Sequence, residues 1–123
     1  MSIINKTATE QLALLQSREI TSVALTQAYL DRINQVDPAV GAFLRVESDT
    51  ALTQAAEVDR KREAGESLGK LAGLPIAIKD ILCTQNTPTT CGSKMLENFV
   101  PPYNATVVEK LFSADAVILG RTN

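Results

Sequence analysis

Apolar positions change their spacing about halfway along this chain. Up to residue 64 they recur every third or fourth position, the repeat of an amphipathic helix. Thr7-Ala8-Thr9-Glu10 has the form of a capping box, with Thr7 as N-cap and Glu10 at N3, and Leu12 and Leu15 follow on one face. A second helix is predicted from about Thr21, with Leu25, Ala28, Tyr29, Ile33 and Val36 as its apolar stripe. It is expected to end at Asp37-Pro38, because a residue before proline avoids the helical region. Ala42-Phe43-Leu44-Arg45-Val46 suits a short strand. Ser48 and Asp49 open a third helix, where both favour the positive dipole end. Its predicted buried face is Ala51, Leu52, Ala55 and Ala56, and Gly65 is its expected stop.

Beyond residue 65 the apolar residues gather into short runs. Residues 69–73 form a loop, and Leu74-Pro75-Ile76-Ala77-Ile78 reads as a buried strand with Lys79-Asp80 at its carboxyl end. Residues 84–93, rich in Thr, Asn, Pro and Gly, form a loop, and Pro101-Pro102 marks a second irregular stretch. Asn104 is the expected cap of a short helix with Val107, Val108, Leu111 and Phe112 on its face. Ala116-Val117-Ile118-Leu119 reads as another buried strand, ending at Gly120. Strand, helix, strand predicts a parallel pair in an α/β sheet. Such strands are covered on both faces. Nothing after Leu119 would cover this pair, so the chain is expected to be the opening piece of a larger α/β domain.

Composition narrows the chemistry. Of 123 residues, 45% are hydrophobic, but only three Phe and two Tyr are present and no Trp, so the core must be aliphatic. Net charge is −2 with both signs interspersed, which argues against a phosphate-binding surface. Arg60-Lys61-Arg62, flanked by Asp59 and Glu63, is expected to be the solvated end of a helix. No apolar run reaches transmembrane length, and the first residues lack a basic stretch followed by an apolar one, so a cytoplasmic location is expected. Histidine is absent, which excludes Ser-His-Asp and Cys-His arrangements and His-based metal sites within these residues. Zinc needs about four ligands. Cys83 and Cys91 are therefore expected to be reduced and partly buried.

Lys79 is the candidate catalytic residue. Open α/β sheets place ligands at the carboxyl ends of their strands. A buried lysine loses solvation and its pKa falls. In that state it can serve as a base for a serine, as Ser-Lys variants of the triad do. A lysine that carries its ammonium from a strand end into water is the plainer alternative. Asp80 can neutralise Lys79 or accept backbone N–H groups in the following turn, and a structural role is expected. Thr89-Thr90-Cys91-Gly92-Ser93 can line a pocket or form an ST-turn. Ser93 has no base beside it and is not read as a nucleophile.

Four stretches occurring in order carry a resemblance: Leu71-Ala72-Gly73-Leu74-Pro75-Ile76-Ala77-Ile78-Lys79-Asp80, Thr89-Thr90-Cys91-Gly92-Ser93, Tyr103-Asn104-Ala105-Thr106-Val107-Val108, and Ala116-Val117-Ile118-Leu119-Gly120-Arg121-Thr122-Asn123. Together they resemble the amidase-signature family. The resemblance implies an α/β fold in which N-terminal helices precede the first strands of a mixed β-sheet flanked by helices. Residues 1–123 would be the N-terminal part of one amidase domain, with 1–64 mostly helical and 65–123 opening the α/β core. It also implies a Ser-cisSer-Lys triad whose lysine falls on Lys79, with both serines in later glycine- and serine-rich segments.

Residues 95–103 are similar to the branch of the family that provides the glutaminase subunit of the heterotrimeric glutamyl-tRNA(Gln) amidotransferases, their A subunit. There the serine attacks the side-chain amide of glutamine, ammonia leaves, and water clears the acyl-enzyme. The B subunit uses ATP and Mg to activate glutamate on the misacylated tRNA, and the C subunit steadies the other two. The resemblance thus implies no cofactor in this chain, contact with tRNA mainly through the partner subunit, and a fragment inactive alone. A free-standing small-amide amidase is the alternative, and a module docking through the 25–36 stripe is another. Three positions depart from the family's pattern. Ile81 stands where asparagine is common, Gln85-Asn86 replaces a Lys-Gly-like pair, and Asp115 stands where glycine is frequent.

Overall fold

The computed structural model describes residues 2–123. After a 3-10 turn, helix α1 (Ala8–Gln16) starts at the expected capping box: Glu10 N–H donates to Thr7 Oγ1 at 3.3 Å and Thr7 N–H donates to Glu10 Oε2 at 2.7 Å. Helix α2 (Ser22–Val40) is N-capped by Thr21. Its first turn is also held from outside, because the Asp59 carboxylate accepts from the N–H groups of Ser22 and Val23 at 2.8 and 3.0 Å.

The proline does not end α2. Pro38 lies in its last turn, where the missing N–H costs one hydrogen bond. The helix closes at Gly41, whose φ of 67° is left-handed. Asp37 then takes the emerging chain, accepting from Ala42 N–H at 2.7 Å and Phe43 N–H at 3.3 Å.

Strand β1 (Phe43–Val46) leads into helix α3 (Ser48–Glu63), whose N-cap is Glu47 with no side-chain cap bond. Its buried face is Ala51, Ala55 and Val58; Leu52 is half-buried and Ala56 is exposed, against expectation. Gly65, with φ of 72°, follows the helix as predicted. Strands β2 (Pro75–Lys79) and β3 (Val117–Thr122) flank helix α4 (Thr106–Ser113) in sequence.

The sheet order is β1-β3-β2, with β3 parallel to β2 and antiparallel to β1. Parallel pairing of the two apolar runs is as predicted, and β1 makes the sheet mixed. Only β3 has the continuous burial expected of both strands, because it alone is paired on both edges. It also runs past Gly120 to Thr122. Strand β2 is an edge: Ile78 is buried while Ala77 and Lys79 are exposed. Gly120 allows β1 to approach, since a Cβ there would collide with the Arg45 carbonyl.

Two apolar layers sandwich the sheet. On one face Leu30, Ala51 and Ala55 pack on Val117 and Leu119, with Tyr29 and Ile33 against them. Of the predicted α2 stripe Leu25 is buried and Ala28, Tyr29, Ile33 and Val36 are half-buried, while Leu30, outside the stripe, is the α2 residue buried in this layer. On the other face Val108 packs on Ile78 and Ile118, with Leu111 alongside. The rest of the predicted α4 face is in solvent: Val107 and Phe112 are exposed. Among the described residues no helix is long and apolar enough to cross a membrane.

The basic run sits in the last turn of α3. Arg60 is solvated and pairs with Glu57 and Glu66. Arg62 instead turns inward, donating to Ala72 carbonyl at 3.0 Å beside Asp59.

Candidate active site

Lys79 ends β2 on the exposed side of the sheet edge, paired in register with Thr122. It is not buried within these residues. This exposure matches the plainer alternative, a lysine that carries its ammonium from a strand end into water. The next residue is the opposite case: Asp80 is 1% exposed. Its N–H donates to Thr122 carbonyl at 2.8 Å, extending the β2–β3 ladder by one step.

The Asp80 carboxylate pairs neither with Lys79 nor with the turn that follows it. It accepts from Arg45 Nη2 at 2.6 Å and Nη1 at 3.3 Å, from Thr90 N–H at 3.0 Å, and from the Thr90 hydroxyl. Burial pushes this carboxyl up, and the Arg45 and Thr90 hydrogen bonds together overcome it, leaving it below the usual carboxylate range. A structural role was the sequence expectation for Asp80; its partner Arg45 was not foreseen. The one available signal was an arginine inside the apolar run of β1.

The loop 84–93 folds back onto this end of the sheet. Cys91 N–H donates to Asp80 carbonyl at 2.9 Å, and Gly92 N–H donates to Thr90 Oγ1 at 3.2 Å. Cys91 and Gly92 are both left-handed, with φ of 53° and 67°. A Cβ on Gly92 would come within 2.7 Å of Asn123 Oδ1. Ser93 caps a 3-10 turn, accepting from Met95 N–H at 3.2 Å, which suits its reading as a structural serine. Both cysteines are free; Cys83 is partly buried as expected, but Cys91 is exposed.

Asn104 was expected to cap α4. It does not: Ala105 occupies that position without a side-chain bond. The Asn104 Oδ1 instead accepts from Gln85 N–H at 2.7 Å, and Ala105 N–H donates to Cys83 carbonyl at 2.8 Å, so this stretch holds the outer side of the loop. Arg121, also unforeseen, is 1% exposed; it donates to Thr84 Oγ1 at 2.7 Å and lies 3.6 Å from Glu47. Arg121, Glu47, Thr84 and Asn104 wall a polar cleft of about 290 Å³ together with Gln54 and Phe112, and Lys79 is not among its walls. The four stretches singled out in the sequence thus meet around the carboxyl end of β2.

Two of the three departures from pattern have a geometric explanation. Asn86 and Asp115 have φ of 62° and 60°. Left-handed backbone favours glycine, and asparagine and aspartate are the side chains that tolerate it best. Ile81 is 54% exposed, and nothing in the structure explains it.

A family model described as Amidase matches residues 24–123. The chain belongs to the amidase family. The A subunit of the glutamyl-tRNA(Gln) amidotransferase of Acidothermus cellulolyticus is 54% identical over 98% of this chain and 24% of its own length. That of Streptomyces coelicolor is 55% identical over the same shares, 98% and 24%. The chain therefore spans about a quarter of the length of the curated relatives it matches. Among solved structures, the peptide amidase from Stenotrophomonas maltophilia superposes with a TM-score of 0.89 at 38% identity, covering 97% of this chain and 25% of that one. A bacterial aryl acylamidase of the amidase signature family gives 0.89 at 30% identity, covering 96% and 25%. The α/β arrangement with its three-stranded mixed sheet is thus an amidase-family arrangement.

Proposed function

We propose that residues 1–123 are the N-terminal portion of the amidase domain in the A subunit of a glutamyl-tRNA(Gln) amidotransferase, and that Lys79 is its catalytic base. The observation that carries this reading is the 54% identity to such a protein along 98% of the chain. The peptide amidase and the aryl acylamidase named above stand at 38% and 30%. Lys79 suits the role by position, at the carboxyl end of a strand whose neighbouring loop is pinned beside it.

In this reading two serines from elsewhere in the full-length polypeptide complete the triad: one passes the hydroxyl proton of the other to the neutral Lys79 amine, and the serine so deprotonated attacks the side-chain amide carbon of glutamine. The amide nitrogen takes a proton back and leaves as ammonia, and water then releases glutamate from the acyl-enzyme. The neutral amine requires desolvation, which the remainder of the polypeptide would supply by covering the Lys79 edge. Ammonia serves a cytoplasmic complex with the B and C subunits. ATP and Mg act there in the B subunit, which also carries most of the contact with tRNA. Among the described residues no serine bonds to Lys79, and residues 1–123 alone are expected to release no ammonia from glutamine.

The test is glutamine-dependent conversion of Glu-tRNA(Gln) by the full-length protein, with and without the B and C subunits. The reading predicts conversion only with both. Rapid hydrolysis of simple amides without partners, and no tRNA conversion with them, would make the protein a free-standing amidase.

A further inference from the structure

We propose that Arg45, Asp80 and Thr90 form a clamp that aims Lys79, with Asp80 acting as a positioning residue through the backbone of Lys79 and the 84–93 loop. The inference rests on the reading of Lys79 as the base.

Among the described residues Lys79 takes part in no ion pair. Its direction is set by its backbone, and the peptide that follows it is held at both its carbonyl and its N–H. Its carbonyl accepts from Leu82 N–H at 3.1 Å, and the following N–H, that of Asp80, donates to Thr122 carbonyl at 2.8 Å. The Asp80 side chain then ties this corner to two other elements. Arg45, on β1, grips the carboxylate with both terminal nitrogens and also donates from Nη2 to Pro88 carbonyl at 2.7 Å. Thr90 gives it a backbone N–H and its hydroxyl, and the same hydroxyl oxygen accepts from Gly92 N–H.

Two features of this arrangement go beyond holding a loop in place. The bonds converge on the residue immediately after Lys79. Arg45 also occupies the charge of Asp80, so the carboxylate next to Lys79 in the chain is already paired. The left-handed Cys91, in a conformation that few non-glycine residues adopt, is held by its own N–H on the Asp80 carbonyl. Loss of the Thr90 hydroxyl would leave the loop on Asp80 through the Thr90 and Cys91 N–H groups alone and let the Lys79 corner shift. A displacement of about 1 Å in a catalytic geometry costs on the order of 10²-fold in rate.

The experiment compares Thr90→Val and Thr90→Ser in the full-length protein assembled with the B and C subunits, measuring kcat and KM for ammonia release from glutamine. The clamp predicts that Thr90→Val lowers kcat by about 10- to 100-fold with KM within about twofold, and that Thr90→Ser restores kcat to within about threefold. If Thr90→Val gives poor soluble protein, Arg45→Lys asks the same question from the edge strand: it keeps the charge, loses the two-nitrogen grip, and should lower kcat at constant KM. An unchanged kcat in these variants overturns the clamp. So does a raised KM at constant kcat, which would mark a direct substrate contact. Lys79→Ala run in parallel separates the two ideas. If it is inactive while Thr90→Val is normal, only the clamp falls; if it turns over normally, the reading of Lys79 falls first.

Discussion

The two ends of this small sheet are built on different principles. Where β3 passes under α2 and α3, order comes from apolar burial and a continuous backbone ladder: Leu30, Ala51, Ala55, Val117 and Leu119 close the layer without a charged side chain. At the carboxyl end of β2 the chain leaves regular structure for most of residues 80–105. It is held there by a few side chains that satisfy backbone groups: Asp80 for Thr90, Asn104 for Gln85, Arg45 for Pro88. The first region resists change because many weak contacts share the load. The second depends on single polar atoms, each specific in direction and sensitive to charge. That contrast suits a scaffold on one side and a site on the other.

Substitutions should therefore separate stability from turnover, and the largest effect should fall on the scaffold. Leu25 is fully buried. Leu25→Ala should cost about 2–5 kcal/mol in denaturant unfolding of the full-length protein, while turnover per folded molecule stays within about twofold. A smaller loss, with activity gone, would reverse the assignment of the two regions.

Asp80 gives the next effect, and it depends on pH. Its folded pKa lies below the usual carboxylate range. Its contribution is thus fully present above the unfolded value near 3.9 and is lost as pH falls through the lower folded value. Asp80→Asn should flatten this part of the acid limb of stability against pH, measured by thermal unfolding between neutral and strongly acidic buffer. An unchanged acid limb would mean that the Arg45 contact adds nothing to the charged form.

Smaller effects sharpen the comparison. Asn104→Ala removes the acceptor for Gln85 N–H and should cost about 0.5–1.5 kcal/mol, with faster amide exchange confined to residues around 85. Thr7→Ala removes a capping box far from the site; it should cost about 1 kcal/mol and leave turnover untouched.

The scaffold was the more legible region, because its signals are local. Thr7 with Glu10, Thr21, and Gly65 after α3 each announce a helix end through the backbone groups they satisfy. The two apolar runs announce the parallel pair. One error was local, and the others came where a longer-range partner decided. Pro38 stays helical because Gly41 and the Asp37 carboxylate close the turn after it. Asn104 serves Gln85 rather than its own helix, a contact across 19 residues. Ala77 and Lys79 are exposed because they share the face of β2 opposite Ile78, and neither belongs to an apolar cluster. Lys79 itself stood out as a charge at the end of an apolar run. Arg45, 35 residues away from the carboxylate it grips, could be identified only once β1 was seen to lie beside β3.

The most direct test of the central claim is ammonia release from glutamine by the full-length complex carrying Lys79→Ala, with tRNA and ATP in excess. If Lys79 is the base, turnover should fall by about 10²–10⁴-fold, with assembly of the complex and thermal stability unchanged. Turnover within about threefold of the unaltered complex would contradict the claim and return Lys79 to the plain role of a solvated strand end.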